Sequence, residues 1–442
     1  MRISTSQIFD AGALNIQRNQ GELFKLQNQL STGRRILTPA DDPVAAAQAL
    51  VVTQSKEVTA QHVANQDNAT SQLGLVDSQL NSLNDLLQNV RQRVVQAGST
   101  TLSNTDRQAI STELEARLSE MLGIANSDNG SGDFLFSGYQ GGTRPFAVDA
   151  SLAALAPATT SPVGYFGDDG ERLLQVAASR QMGVNVPGSE VFMKARNGNG
   201  TFVAATGGNT GGGNNQGTAI ADAGSVLDQQ KWQAAVNGYP WSTPANPALQ
   251  IRFSVAAGAT TYQLYDVSTP GTPVAVSAAA PFTPGQAISL ATTTLPVTDF
   301  GSQVVVNGQP ADNDTFTIKP SQNQSMFQTV QNLIGVLRSP IGSATYTATQ
   351  FTNDLGNQLT NVDQAMTNVS RVQATVGTRM RELESLSNTS GDLDIQFSAT
   401  LSKLQDLDYA KAITDFTKQQ VNLEAAQKSF AQISGLSLFK LL

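Results

Sequence analysis

The sequence predicts an α+β protein. It reads as a long antiparallel coiled-coil helical bundle built from both termini, with a β-rich outer domain inserted in the middle. Three observations lead there. Near both ends, apolar residues recur at alternating spacings of three and four, the seam of a coiled coil. Between about 134 and 320 that period gives way to short β-prone runs punctuated by Gly, Pro and Asn. Only 14% of the chain is charged, so Gln, Asn, Ser, Thr, Ala and Gly must cover its surface. A length of 442 residues allows two or three domains.

The elements follow in chain order. Residues 1–40 hold an N-terminal assembly helix, with Ile16, Leu23, Leu30 and Leu37 spaced by seven and Leu26 between them. Gly33 should end it, because glycine takes the left-handed cap conformation cheaply. Residues 41–133 should form a long helical hairpin. Asp42 can cap its first helix and Pro43 can occupy the first helical position. Leu73, Val76, Leu80, Leu83, Leu87, Val90 and Val94 give it a strict seam, which needs a partner helix. A second helix over 105–125 starts at Ser103 or Thr105 and folds back through the 98–104 turn.

Residues 134–325 are the β-rich region. Within it, 197–217 carries eight glycines and five asparagines and reads as a flexible loop. Residues 326–390 are the return helix, with Val362, Ala365, Val369, Val372, Val376, Met380, Leu383 and Leu386 on its seam. Asn388-Thr389-Ser390-Gly391 should interrupt it. Residues 391–442 form a C-terminal assembly helix. Its seam reads as Tyr409, Ile413, Phe416, Leu423 and Phe430, with Gln420 and Gln427 at the intervening core positions. An amphipathic helix at each end has nothing local to pack against, so each must find the other or another subunit.

Composition removes most catalytic chemistry. There is no cysteine, so thiolate nucleophiles, disulfides and thiolate metal sites are excluded. The one histidine, His62, lies off the seam of its helix and reads as an ordinary helix residue. A net charge of −8 argues against a nucleic-acid partner, which requires a basic surface. No apolar run is long enough to span a bilayer, and the N-terminus lacks a secretory signal pattern. No catalytic, cofactor-binding or metal-binding residue is expected. Asp128–Asp133 resembles a calcium loop only loosely and reads as a turn. Asp312-Asn313-Asp314 reads as a hairpin turn. Arg34 and Arg35 are either a solvated pair or the pin of the Asp41–Asp42 turn or of a neighbouring subunit. The candidate assembly residues are Ile16, Leu23, Leu30, Arg34, Arg35, Asp41, Asp42, Ile413, Phe416, Leu423 and Phe430.

Several stretches also resemble a known family. Leu30-Ser31-Thr32-Gly33-Arg34-Arg35-Ile36-Leu37-Thr38-Pro39-Ala40-Asp41-Asp42-Pro43 resembles the N-terminal signature of the flagellin superfamily. Phe134-Leu135-Phe136-Ser137-Gly138-Tyr139, followed by Pro145-Phe146, looks like a strand motif of the hook-associated protein 3 family. The run from Val376 to Glu384 and the ending Gly435-Leu436-Ser437-Leu438-Phe439 are closer to that family than to flagellin. The resemblance covers 1–196 and 325–442. It implies a structural, non-enzymatic subunit of the bacterial flagellum that joins hook to filament, is secreted unfolded through type III export and remains extracellular. It also implies partners: other copies of itself, a neighbouring hook-associated protein, flagellin and a cytosolic export chaperone, with no nucleic acid and no membrane. Flagellin itself, and a secreted coiled-coil adhesin with a β head, are the alternative readings.

Overall fold

The computed structural model describes residues 5–148, 163–243, 246–294, 296–343 and 346–438. Its helices are α1 (Thr5–Thr32), α2 (Pro43–Ala97), α3 (Asn104–Ala125), α4 (Gln229–Gly238), α5 (Met326–Arg338), α6 (Ala348–Gln405) and α7 (Tyr409–Leu438). The chain divides into two compact units. A terminal unit comprises Met1–Asp67, Gln175–Arg180 and Leu383–Leu442. A central unit comprises Asn68–Leu174 and Gln181–Glu382. The architecture is therefore α+β, with helices from both ends and a β-rich middle.

In the central unit the predicted seam is the core. Leu73, Val76, Leu80, Leu83, Leu87, Val90 and Val94 on α2 are buried, as are Val362, Ala365, Val369, Val372 and Val376 on α6. The two helices run antiparallel. Asn81 Oδ1 accepts from Gln373 Nε2 at 2.8 Å, and Arg91 Nε donates to Asp363 Oδ1 at 2.7 Å. Ser103 caps α3 reciprocally with Asp106. The Arg93–Glu113 pair, 2.9 Å, holds α3 beside α2.

The return helix of 326–390 is two helices. Pro340 follows the α5 end at Arg338 and cannot continue a helix, so α6 starts afresh at Ala348. α5 buries Phe327, Val330, Leu333, Ile334 and Leu337, and its Arg338 pairs with Glu115 of α3 at 2.7 Å. At the other end, Asn388–Gly391 does not break α6, which runs through to Gln405. Polar residues and one glycine cost a helix little, and the Thr389 hydroxyl donates to the Ser385 carbonyl at 3.0 Å. The real break is Asp406–Asp408, which moves the expected 390/391 boundary towards the C-terminus.

Among the described residues, the inserted region holds three two-stranded pairs and two larger antiparallel sheets that share one core. The six-stranded sheet runs in the order Val274–Ala275, Ala259–Asp266, Leu249–Ala256, Asp314–Pro320, Phe202–Asn209, with Ala280–Pro281 also pairing Ala259–Asp266. In the four-stranded sheet, Asp299–Asn307 is flanked by Ala287–Ala291 and Ile220–Ala221 and also pairs Ser225–Val226. Phe202, Trp232, Ile251, Phe253, Phe300, Val304, Phe316 and Ile318 fill the space between.

Three expectations are corrected here. Residues 202–209 of the glycine-rich 197–217 stretch form a strand, because Phe202 and Ala204 point into the core. Asp312–Asp314 is not a hairpin turn, since the strands on either side belong to different sheets. The Asp314 carboxylate is buried there and accepts from the backbone N–H groups of Gln216, Gly217 and Ala311 at 2.7–2.8 Å. Finally, Phe134–Tyr139 is a turn and not a strand. Gly138 sits at φ +73°, and Phe136 enters an aromatic cluster with Phe192, Phe146 and Phe327.

Candidate assembly surface

The terminal unit is built on the pairing of α1 with α7, and the seam is legible residue by residue. On α1 the inward positions are Phe9, Gly12, Ile16, Asn19, Leu23, Leu26 and Leu30, all partly buried. On α7 they are Ala412, Phe416, Gln419, Leu423, Ala426 and Phe430. The helices are antiparallel: Phe9 meets Phe430 edge-to-face at 5.8 Å, and Gln419 Nε2 donates to Asn19 Oδ1 at 3.2 Å and Glu22 Oε2 at 2.9 Å. Gly12 is required by close approach, since a Cβ there would lie 2.7 Å from the Phe430 ring.

Six candidate residues, Ile16, Leu23, Leu30, Phe416, Leu423 and Phe430, therefore lie on one seam. Ile413 does not: it is 54% exposed. The intervening positions are Gln419 and Ala426, one residue before the expected Gln420 and Gln427, which are exposed. α7 carries apolar residues on two faces, and the Tyr409–Ile413 start led the reading onto the outer one.

The turn between α1 and α2 is a dense polar lock. Gly33 ends α1 at φ +70°, and its carbonyl accepts from Leu407 N at 2.9 Å. Arg35 donates from Nη2 to the Leu404 carbonyl at 2.7 Å and from its backbone N–H to Gln405 O at 2.7 Å. Its Nη1 also pairs with Asp42 Oδ2 at 3.1 Å. Arg35 is thus the pin of the turn, while Arg34 is exposed and bridges to Asp406 through its backbone. Asp42 caps α2, its Oδ1 accepting from Ala45 N at 3.1 Å.

Asp41 accepts from the N–H groups of Leu37 and Thr38 at 3.0 and 2.8 Å and pairs with Lys25 at 2.6 Å. Lys25, which the sequence reading missed, joins α1 to the turn. The Lys25 ammonium and those two N–H groups hold the Asp41 carboxyl far below the usual carboxylate range. The Ala45 N–H and Arg35 hold Asp42 low as well.

This unit has almost no core. Among its described residues, the buried hydrophobic side chains are only Ala45, Ala49, Val176, Leu383 and Ala412. Leu14 (61%), Phe24 (64%), Val51 and Val421 are exposed instead. Ala47, Val51, Val52, Thr400 and Leu404 line an open apolar groove of about 450 Å³. Burial is the main favourable term in folding, and this unit has little of it and a contiguous set of exposed apolar side chains.

In the central unit, α6 carries a polar stripe that sequence reasoning also missed. Asn353 Nδ2 donates to Ala219 O and its Oδ1 accepts from Ala221 N, both at 3.0 Å. Asn361 Oδ1 accepts from Gly198 N at 2.8 Å, and Asn368 Nδ2 donates to Glu190 O and Val191 O at 2.9 Å. Arg379 Nη2 donates to both carboxylate oxygens of Glu171 at 2.9 Å, while its Nη1 reaches the Gly183 and Asn185 carbonyls at 3.2 and 3.3 Å. Spacings of eight, seven and eleven put these four on one helix face, which was the available signal. The Asp128–Asp133 turn uses its side chains on its own backbone: Asp128 accepts from Gly130 N, and Asn129 from Ser131 N and Asp133 N. Among the described residues, no helix is long and apolar enough to cross a membrane.

Comparison with known proteins matches both ends of this architecture. Residues 3–141 match the bacterial flagellin N-terminal helical region and residues 359–442 the bacterial flagellin C-terminal helical region. Flagellar hook-associated protein 3 of Escherichia coli (strain K12) is 22% identical over 441 residues, spanning 100% of this chain and 99% of that protein. Phase 2 flagellin of Salmonella typhimurium is 27% identical, but over 56% of this chain and 50% of its own length. The crystal structure of the flagellar junction protein FlgL from Legionella pneumophila superposes with a TM-score of 0.65 at 25% identity, covering 81% of this chain and all of that one. Xanthomonas campestris FlgL shows the same fold, with a TM-score of 0.62. Flagellin-type helical regions at both ends, joined by a likeness to hook-associated protein 3 that runs end to end where the match to phase 2 flagellin does not, place this chain in the flagellin superfamily, in its hook-associated protein 3 family.

Proposed function

We propose that this chain is the adaptor of the hook–filament junction in an extracellular bacterial flagellum. It acts as a structural subunit and not as an enzyme. The observation that carries the reading is the terminal unit, whose helices pair through a partly buried seam and leave large apolar residues in solvent. Such a surface suits order completed by neighbouring subunits. Copies meeting head to tail with a screw rotation give a tube and not a closed dimer. One end of the assembled ring contacts another hook-associated protein, and the other presents a flagellin-like face on which the filament grows. Before assembly, an export chaperone shields the α7 segment in the cytosol. The end-to-end likeness to hook-associated protein 3 favours the junction over the filament itself.

Deleting the gene tests this. The expected cells carry hooks without filaments and release flagellin monomer into the medium. Normal filaments and motility in the deletion strain would overturn the reading.

A further inference from the structure

The chain contains five Asn–Gly steps, at 129–130, 197–198, 199–200, 237–238 and 307–308. Asparagine is thermolabile, and a following glycine leaves the backbone nitrogen sterically open to attack the side chain. Whether a given step reacts in the folded protein depends on how firmly the amide and the next N–H are held.

At four of the five the glycine N–H is held. Asn129 Oδ1 accepts from Ser131 N and Asp133 N, and Gly130 N donates to Asp128 Oδ1. Asn197 Oδ1 accepts from Gln322 N and the Ser321 hydroxyl, and Gly198 N donates to Asn361 Oδ1. Asn199 accepts from Thr201 N and Phe202 N and donates to Ala223 O and Gly224 O, while Gly200 N donates to Asn197 O. Asn237 and Gly238 are the last two residues of α4: the Asn237 side chain is exposed, but helical bonding holds the Gly238 N–H. Asn307 differs. It is exposed at the end of the strand Asp299–Asn307, and among the described residues neither its side-chain amide nor the Gly308 N–H makes a hydrogen bond.

We propose that Asn307 is a site of spontaneous deamidation, a built-in ageing mark on the inserted β module. The Gly308 nitrogen loses its proton to base and bonds to Asn307 Cγ. The Cγ–Nδ2 bond breaks and ammonia leaves. Water then opens the succinimide ring at either carbonyl, giving aspartate or isoaspartate. No oxidant or reductant is involved. The isoaspartate product inserts a side-chain carbon into the main chain where Asn307 pairs with Ile220, so it frays the Ile220–Ala221 strand from its partner.

The test is incubation of the full chain at mildly alkaline pH, followed by peptide mass mapping of all five sites over time. The same chain in urea, where all five steps are released, sets the reference rates. The expected result is product at Asn307 several-fold ahead of the other four in the folded chain, and comparable rates at all five in urea. Asn307→Gln should remove the early product and leave the remaining sites unchanged. Product appearing first at another site would overturn the proposal. So would equal rates at all five in the folded chain, or an unreactive Asn307 while the urea control reacts.

Discussion

Asp41 binds one ammonium and two backbone N–H groups in a turn of few residues, so the turn is a pH-dependent joint. Its carboxyl, and that of Asp42, are held below their unfolded values. A depressed carboxylate contributes stability above its unfolded pKa, near 4, and that contribution is lost as the pH falls through the folded value. The 33–42 turn should therefore open in acid and be fully locked at neutrality. Amide hydrogen exchange at Leu37 and Thr38 as a function of pH checks this, and Asp41→Asn should raise the exchange at pH 7 and flatten its acid dependence. An unchanged profile would show that the lock lies elsewhere.

Arg379 makes a second prediction. Arg379→Lys keeps the charge and loses the second nitrogen that reaches the Gly183 and Asn185 carbonyls, and should lower the stability of the central unit by only about 1 kcal/mol in a urea melt, because Glu171 is partly solvated. Asp42 as a cap was legible in the sequence because its role is local. Lys25, Asn361 and Arg379 were not, because their partners lie far away in sequence or on backbone that no periodicity announces.

At the scale of elements, spacing was a reliable guide to which helices exist and a poorer guide to their phase and ends. The α2 seam was read correctly because most large apolar residues between Leu73 and Val94 occupy one stripe, the exposed Leu75 excepted. α7 was misread by one position because Ile413 and Val421 make a second stripe, and nothing local says which stripe meets α1. The break expected at Asn388–Gly391 failed because loop-favouring residues cost a long helix little, and here Ser390 is buried and accepts from Gln66 Nε2 at 3.2 Å. Gly391 has nothing within 4 Å of a Cβ position. Gly391→Ala should therefore raise stability by about 1 kcal/mol, seen as a higher urea midpoint at constant slope. A lower midpoint would mean that α6 needs flexibility at that point.

For the whole molecule, the two units have opposite burial. The inserted β module has two sheets, one helix and a shared aromatic core, so residues 197–321 expressed alone should unfold cooperatively. A broad, non-cooperative melt would contradict this and make the α6 asparagines essential to its folding. The fold class was legible because it rests on long periodic segments. The pairing of strands into two sheets was not, because the strands are short and their partners distant. The terminal unit, by contrast, buries few apolar side chains and leaves large ones exposed, as the proposed assembly role requires.

Complementation tests that claim most directly. A strain lacking the gene is supplied with the full chain, or with the chain ending before Tyr409, and its cells and medium are examined by electron microscopy and flagellin assay. Filaments are expected with the full chain. With the truncated chain, bare hooks and flagellin in the medium are expected, while the central unit melts as before. Filaments restored by the truncated chain would contradict it.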